Sequence, residues 1–205
     1  MAWLYLVTDR DLLQGRPLEQ VVLDAVRGGV AMVQLREKHA TTRFFVEEAQ
    51  RIKELLAPYK VPLIINDRVD VALAVGADGV HIGQDDMPYP LARRLLGEHA
   101  IIGLSVETME QVQEAEQYDV SYISVSPVFE TPTKTDTKGA WGIEGVKRVR
   151  EVTRHRVVAI GGLNTTNVQQ VVRAGAEGIA VVSAICAAPD PFQASRELLT
   201  LIHSA

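Results

Sequence analysis

Apolar residues follow two periods along the chain. Short runs of β-branched and apolar residues recur at 3–7, 32–35, 63–65, 79–82, 101–104, 122–125, 157–160 and 179–182, which predicts eight strands. Between them, apolar positions recur at helical spacing with polar residues on the other face. In 41–56, for example, Phe44, Phe45, Ala49, Ile52, Leu55 and Leu56 fall near one stripe. Strands alternating with helices build right-handed βαβ units and a parallel sheet.

Three junctions look alike: Gly28-Gly29-Val30, Gly76-Ala77-Asp78-Gly79-Val80 and Gly175-Ala176-Glu177-Gly178-Ile179. Each sets a helix-ending glycine just before a strand, where left-handed backbone costs least, and reads as a tight αβ turn at the bottom of a barrel. The third and fourth strands begin only 16 residues apart, so the helix between them is short, near 68–75. The longest connection, 126–142, is rich in Thr, Lys and Pro without apolar periodicity, as binding loops often are. Dividing 205 residues by eight leaves about 26 per unit, enough for one strand, one helix and two short loops. A doubly wound open sheet is the competing α/β architecture. Eight strands in this length, with no GxGxxG or GxxxxGK[ST], favour closure into a single (β/α)8 TIM barrel domain over residues 1–205.

Composition narrows the function. Hydrophobic residues are 47% and charged residues 23%, enough for a sizeable core, and the net charge of -5 gives no general attraction to nucleic acid or acidic lipid. A lone cysteine, Cys186, excludes an intrachain disulfide or CxxC site and suggests a reducing compartment. The apolar run at 1–7 is too short for a signal segment, and no run of 18 apolar residues spans a membrane, so a cytoplasmic protein is expected.

In a closed parallel barrel, chemistry sits at the C-terminal ends of the strands. After the second strand, Gln34, Arg36 and Lys38 share one face at period two. They form either an anion site or one half of an internal salt-bridge network. The third strand ends in Asn66-Asp67 and the fourth is followed by Gln84-Asp85-Asp86, so Asp67 and Asp86 could share a hard cation or simply cap the next helices. Scattered histidines disfavour zinc, and His81 within an apolar strand reads as a satisfied core residue. Ser105 could donate to an anion or start a helix, and the Thr131-Pro132-Thr133-Lys134-Thr135-Asp136 run is a hydroxyl cluster with one cation. Gly161-Gly162 and Ser183-Ala184-Ile185 end the last two strands, the usual phosphate cradle of such barrels. GLSVE at 103–107 fails the GxSxG pattern. Two anion sites in one mouth imply small phosphorylated substrates.

Tyr5-Leu6-Val7-Thr8-Asp9, Val33-Gln34-Leu35-Arg36-Glu37-Lys38, Ile64-Ile65-Asn66-Asp67-Arg68-Val69-Asp70, Gly79-Val80-His81-Ile82-Gly83-Gln84-Asp85-Asp86, Pro127-Val128-Phe129 with Thr131-Pro132-Thr133-Lys134, and Ala159-Ile160-Gly161-Gly162 together resemble the thiamine phosphate synthase family over essentially the whole chain. The resemblance implies condensation of 4-amino-2-methyl-5-hydroxymethylpyrimidine diphosphate with 4-methyl-5-(2-hydroxyethyl)thiazole phosphate, by a dissociative mechanism that releases pyrophosphate. By position it implies that Gln34, Arg36, Lys38 and Asn66 meet the pyrimidine diphosphate, joined by Ser105 and Lys134. Asp67 and Asp86 would hold Mg2+, and Thr131, Thr133, Gly162, Ser183 and Ile185 would serve the thiazole phosphate. Arg36, Lys38 and Lys134 would carry the electrostatic catalysis.

The chain departs from the family pattern at Glu107, where histidine is frequent, at Ser126, where glycine is usual, and at Glu130, where proline is common. Two alternatives follow: a thiazole tautomerase of the same fold, disfavoured by the complete Gln34, Arg36 and Lys38 set, and a non-catalytic thiamine phosphate binding protein.

Overall fold

The computed structural model describes residues 2–131 and 139–205. Strands and helices alternate as β1 (Trp3–Val7), α1 (Leu18–Arg27), β2 (Met32–Leu35), α2 (Thr42–Leu56), β3 (Leu63–Asn66), α3 (Val69–Val75), β4 (Gly79–Ile82), α4 (Tyr89–Leu96), β5 (Ile101–Val106), α5 (Met109–Ala115), β6 (Tyr122–Val125), α6 (Gly142–Val152), β7 (Val157–Ile160), α7 (Val168–Arg173), β8 (Gly178–Val181), α8 (Ser183–Cys186) and α9 (Pro191–His203). The strands form a closed barrel in chain order, with β1 paired in parallel to β8, Trp3 opposite Gly178 and Leu6 opposite Val181. Closure removes the open doubly wound alternative. No described helix is long and apolar enough to cross a membrane.

The strands are apolar on both faces because both faces are covered. In β1 the even residues Leu4 and Leu6 join the large cluster between sheet and helices, while Tyr5 and Val7 point inward to meet Ile64, Tyr122, Val158 and Ala180. Trp3, Tyr5 and Tyr122 pack as one aromatic group, with centroids 5.6, 6.3 and 6.0 Å apart, and fill the lower interior. Gly103 makes room for this group: a Cβ there would overlap the Tyr122 ring.

The αβ turns follow the expected chemistry, with positive φ at Gly29 (107°), Gly76 (60°) and Gly175 (105°). The short helix α3 has seven residues. Helix α2 opens with Thr41 Oγ1 accepting from the Phe44 amide and buries Phe45, Ala49, Ile52 and Leu56. Phe44 departs from the expected stripe. It is 37% exposed and lies under the Arg10 guanidinium, 5.0 Å from ring centroid to Cζ, whereas the buried flank of the helix carries Glu48.

Candidate active site

A cavity of about 460 Å³ opens at the C-terminal ends of the strands. Gln34, Arg36 and Lys38 all line it, as period-two alternation along and beyond β2 requires. Gln34 is buried and donates from Nε2 to Tyr5 Oη at 2.8 Å. Arg36 donates to Asp9 Oδ2 at 2.9 Å, and its amide donates to Thr8 Oγ1 at 3.0 Å. The arginine therefore has a fixed counter-charge, as the salt-bridge reading expected, and still borders the cavity.

Glu37 alternates to the opposite side, where Arg10 holds it at 3.0 Å. Arg10 also pairs with Glu48 of α2, whose carboxyl is raised above its ordinary range, first by burial, against the opposing pull of Arg10. This clamp ties the segment after β1, the segment after β2 and helix α2 together beneath Arg36 and Lys38.

Asn66 and Asp67 reach the cavity from the end of β3. Asp67 adopts φ 62°, a left-handed conformation that aspartate tolerates better than most residues, and its amide donates to the His81 carbonyl at 2.8 Å. Its carboxyl is pushed up to about 6 by burial and by the neighbouring Asp86 carboxylate, with Lys38 and Arg36 pulling the other way. Asp86 Oδ2 accepts from the Gly83 amide at 2.6 Å. Neither aspartate caps the helix after it: the N-cap position of α3 is Arg68 and that of α4 is Pro88, both without a side-chain cap. Two carboxylates thus face one space that already raises the proton affinity of one of them.

His81 on β4 is buried and hydrogen-bonded, as expected of a core histidine, and it also borders the cavity. Its Nδ1 lies 3.1 Å from Tyr122 Oη and its Nε2 2.8 Å from Ser105 Oγ. Ser105 belongs to β5, and the cap of α5 is Thr108. The helix-start alternative for Ser105 therefore falls, and its hydroxyl is left to the cavity and His81.

The loops after β6 and β7 run together: the Val128 amide donates to Ile160 O at 2.8 Å and the Phe129 amide to Gly161 O at 3.1 Å. This closeness requires glycine. Gly161 has φ 101° and its Cβ would stand 2.6 Å from Pro127 Cβ; Gly162 has φ 66° and its Cβ would stand 2.8 Å from Phe129 Cβ. Thr131, Gly162 and Ser183 line the same side of the cavity, whereas Thr133 and Lys134 lie outside the described residues. Ile185 is not brought to the cavity. Its side chain is fully buried in the core beneath α8, and its amide donates to Val182 O at 3.2 Å.

Reading the sequence alone passes over the phenols Tyr5 and Tyr122, because tyrosine in a strand counts as apolar. Period two along Trp3–Val7 is the signal that turns Tyr5 inward, where its hydroxyl must find a partner.

Comparison with known proteins agrees with this geometry. A sequence model of thiamine monophosphate synthase matches residues 4–185. The chain is 55% identical over 201 residues to the thiamine-phosphate synthase of Albidiferax ferrireducens, covering 98% of this chain and 92% of that protein. It is 55% identical over 200 residues to the thiamine-phosphate synthase of Vibrio campbellii, covering 98% of each. The solved thiamine phosphate pyrophosphorylase of Pyrococcus furiosus superposes with a TM-score of 0.90 at 38% identity, covering 98% of this chain and 96% of that one. The chain belongs to the thiamine monophosphate synthase family.

Proposed function

We propose that this chain joins 4-amino-2-methyl-5-hydroxymethylpyrimidine diphosphate to 4-methyl-5-(2-hydroxyethyl)thiazole phosphate, giving thiamine phosphate and pyrophosphate. The observation that carries the reading is the meeting of Arg36, Lys38, Asp67 and Asp86 in one cavity, opposite an edge of glycine and hydroxyl groups. The first set suits a diphosphate, the second a single phosphate.

In the dissociative route the carbon–oxygen bond to pyrophosphate breaks, the aminopyrimidine spreads the resulting positive charge, and the thiazole nitrogen attacks the exocyclic carbon. No protein nucleophile is required. Cys186 is unsuited to that role, being buried with its thiol pushed up to about 11. Charge grows on the departing oxygen, and the protein's task is to meet it with groups already in place. Arg36, held by Asp9, and Lys38 bind the diphosphate, with Lys134 as a third cation. One such pair at about 4 Å contributes about 4 kcal/mol for an effective dielectric of about 20. Ser105 donates a hydrogen bond to the same group, and Gln34 and Asn66 orient the pyrimidine. Thr131, Thr133, Gly162 and Ser183 receive the thiazole phosphate.

Asp67 and Asp86 fit a magnesium ion. Burial and the neighbouring Asp86 carboxylate together raise Asp67 to about 6, and a divalent cation relieves the crowding of the two acids. Among the described residues no third acidic, histidine or cysteine side chain joins them, so substrate oxygens and water would complete the shell. When bound, Mg2+ neutralises diphosphate charge and stabilises the leaving group.

The whole chain, 1–205, serves in this reading as one catalytic domain in the cytoplasm, with small phosphorylated molecules rather than nucleic acid as partners. The test is direct: purified protein, both substrates and Mg2+, with thiamine phosphate and pyrophosphate followed by chromatography. Absence of product would overturn the reading. Isomerisation of a thiazole carboxylate phosphate, unaffected by EDTA, would put the tautomerase in its place.

A further inference from the structure

Five polar side chains form one line through the barrel interior. Gln34 Nε2 donates to Tyr5 Oη at 2.8 Å, and the Tyr5 and Tyr122 hydroxyl oxygens are 2.8 Å apart. Tyr122 Oη lies 3.1 Å from His81 Nδ1, and His81 Nε2 lies 2.8 Å from Ser105 Oγ. The line begins and ends on residues that border the cavity.

Each phenol has one proton to give. Tyr5 Oη already accepts from Gln34, so its own proton goes to Tyr122. Tyr122 accepts that proton and gives its own to His81 Nδ1. An imidazole accepting at Nδ1 carries its hydrogen on Nε2, which then points at Ser105 Oγ. With its oxygen accepting from His81, the serine hydroxyl has its proton left over, and the open direction is the cavity. The opposite order would run from His81 to Tyr122 to Tyr5 and leave the proton of Tyr5, 1% exposed and already accepting from Gln34, without an acceptor in the line. Burial keeps both phenols protonated, raising each above the ordinary tyrosine range. The His81 ring is further held flat against Tyr122, with centroids 5.7 Å apart and planes 18° from parallel.

We infer that Tyr122 and His81 are positioning residues, fixing the Nε2–H imidazole form so that Ser105 presents its O–H to an anionic oxygen in the cavity. The inference rests on the reaction proposed above, in which that oxygen belongs to the diphosphate. A hydroxyl alone would accept or donate as it rotated. One locked as a donor meets growing negative charge without reorganising.

Two measurements test it. Nitrogen-15 NMR of histidine-labelled protein, with the His81 signals assigned by their loss in His81→Asn, should show hydrogen on Nε2 and a bare Nδ1; hydrogen on Nδ1 would overturn the relay. Steady-state kinetics should show Tyr122→Phe lowering kcat about tenfold, equivalent to about 1.4 kcal/mol, with KM for the thiazole phosphate unchanged. Because Tyr122 acts through Ser105, the same substitution should change kcat less than about twofold in a Ser105→Ala background. Independent, multiplicative effects would show a merely structural role and overturn the inference, as would an unchanged kcat in the single variant. Wild-type protein that makes no thiamine phosphate would count against the reaction itself. The tautomer readout tests the relay in that same sample, so the two failures are distinguishable.

Discussion

Arg36 Nη1 and Asp9 Oδ2 stand 2.9 Å apart at the rim of the barrel, with only 19% and 16% of their side chains exposed. A guanidinium held this way keeps its fork aimed before any ligand arrives, which a free lysine would not. Arg36→Ala should lower kcat/KM for the pyrimidine diphosphate at least about tenfold, or about 1.4 kcal/mol. Arg36→Lys should recover only part of this, because one ammonium cannot serve Asp9 and a phosphate in the same geometry. Steady-state kinetics of the two variants checks both, and unchanged rates would remove Arg36 from its role.

The raised Asp67 carboxyl has a consequence for metal-free protein. Its folded value of about 6 lies above the ordinary 3.8, so the folded state binds more protons than the unfolded state between them. Stability should therefore fall as pH rises from about 4 to about 6 and level off beyond. Asp67→Asn should flatten that fall and raise the Tm in EDTA above pH 6, while abolishing most synthase activity. Thermal unfolding from pH 4 to 8 in EDTA checks the first part, and a variant no more stable than wild type at pH 7 would contradict it.

Arg10 sits between Glu37 and the buried Glu48. Arg10→Ala would leave two acidic groups facing each other with one of them out of water. Because the arginine is 41% exposed, the expected loss is reduced by solvent screening to about 2 kcal/mol. The loss should be larger at pH 8 than at a more acidic pH, because burial raises the Glu48 carboxyl and favours its protonated form, and Glu48→Gln should restore part of it. Urea unfolding of the three proteins at both pH values measures these differences.

Gly103→Ala would push a methyl group into the Tyr122 ring inside a filled interior. The expected cost is about 3 kcal/mol, read from urea midpoints. A methyl group at Gly97 would meet nothing within 4 Å, and only the backbone at φ 82°, ψ 174° opposes alanine there, so Gly97→Ala should cost about 2 kcal/mol.

The barrel was legible because a strand covered on both faces is a short unbroken apolar run, and eight of these recur between amphipathic stretches. The strand ends were legible for the opposite reason, since Arg36, Lys38, Asp67 and Asp86 are polar where the apolar runs stop. What sequence could not reveal was direction. Whether Asp67 capped a helix depended on its φ of 62°, and whether Arg36 was paired depended on Asp9, 27 residues away. Phe44 and Glu48 exchanged expected exposures because the third partner, Arg10, comes from a different loop. Ile185 was read at a strand end and in the family resemblance, but its side chain turns into the core and it does not line the cavity.

The aromatic group of Trp3, Tyr5 and Tyr122 gives the barrel a floor, and a room with a floor has one door. Whatever settles beside Tyr5 therefore comes and goes past Arg36, Asp67 and Asp86 at the ends of the strands.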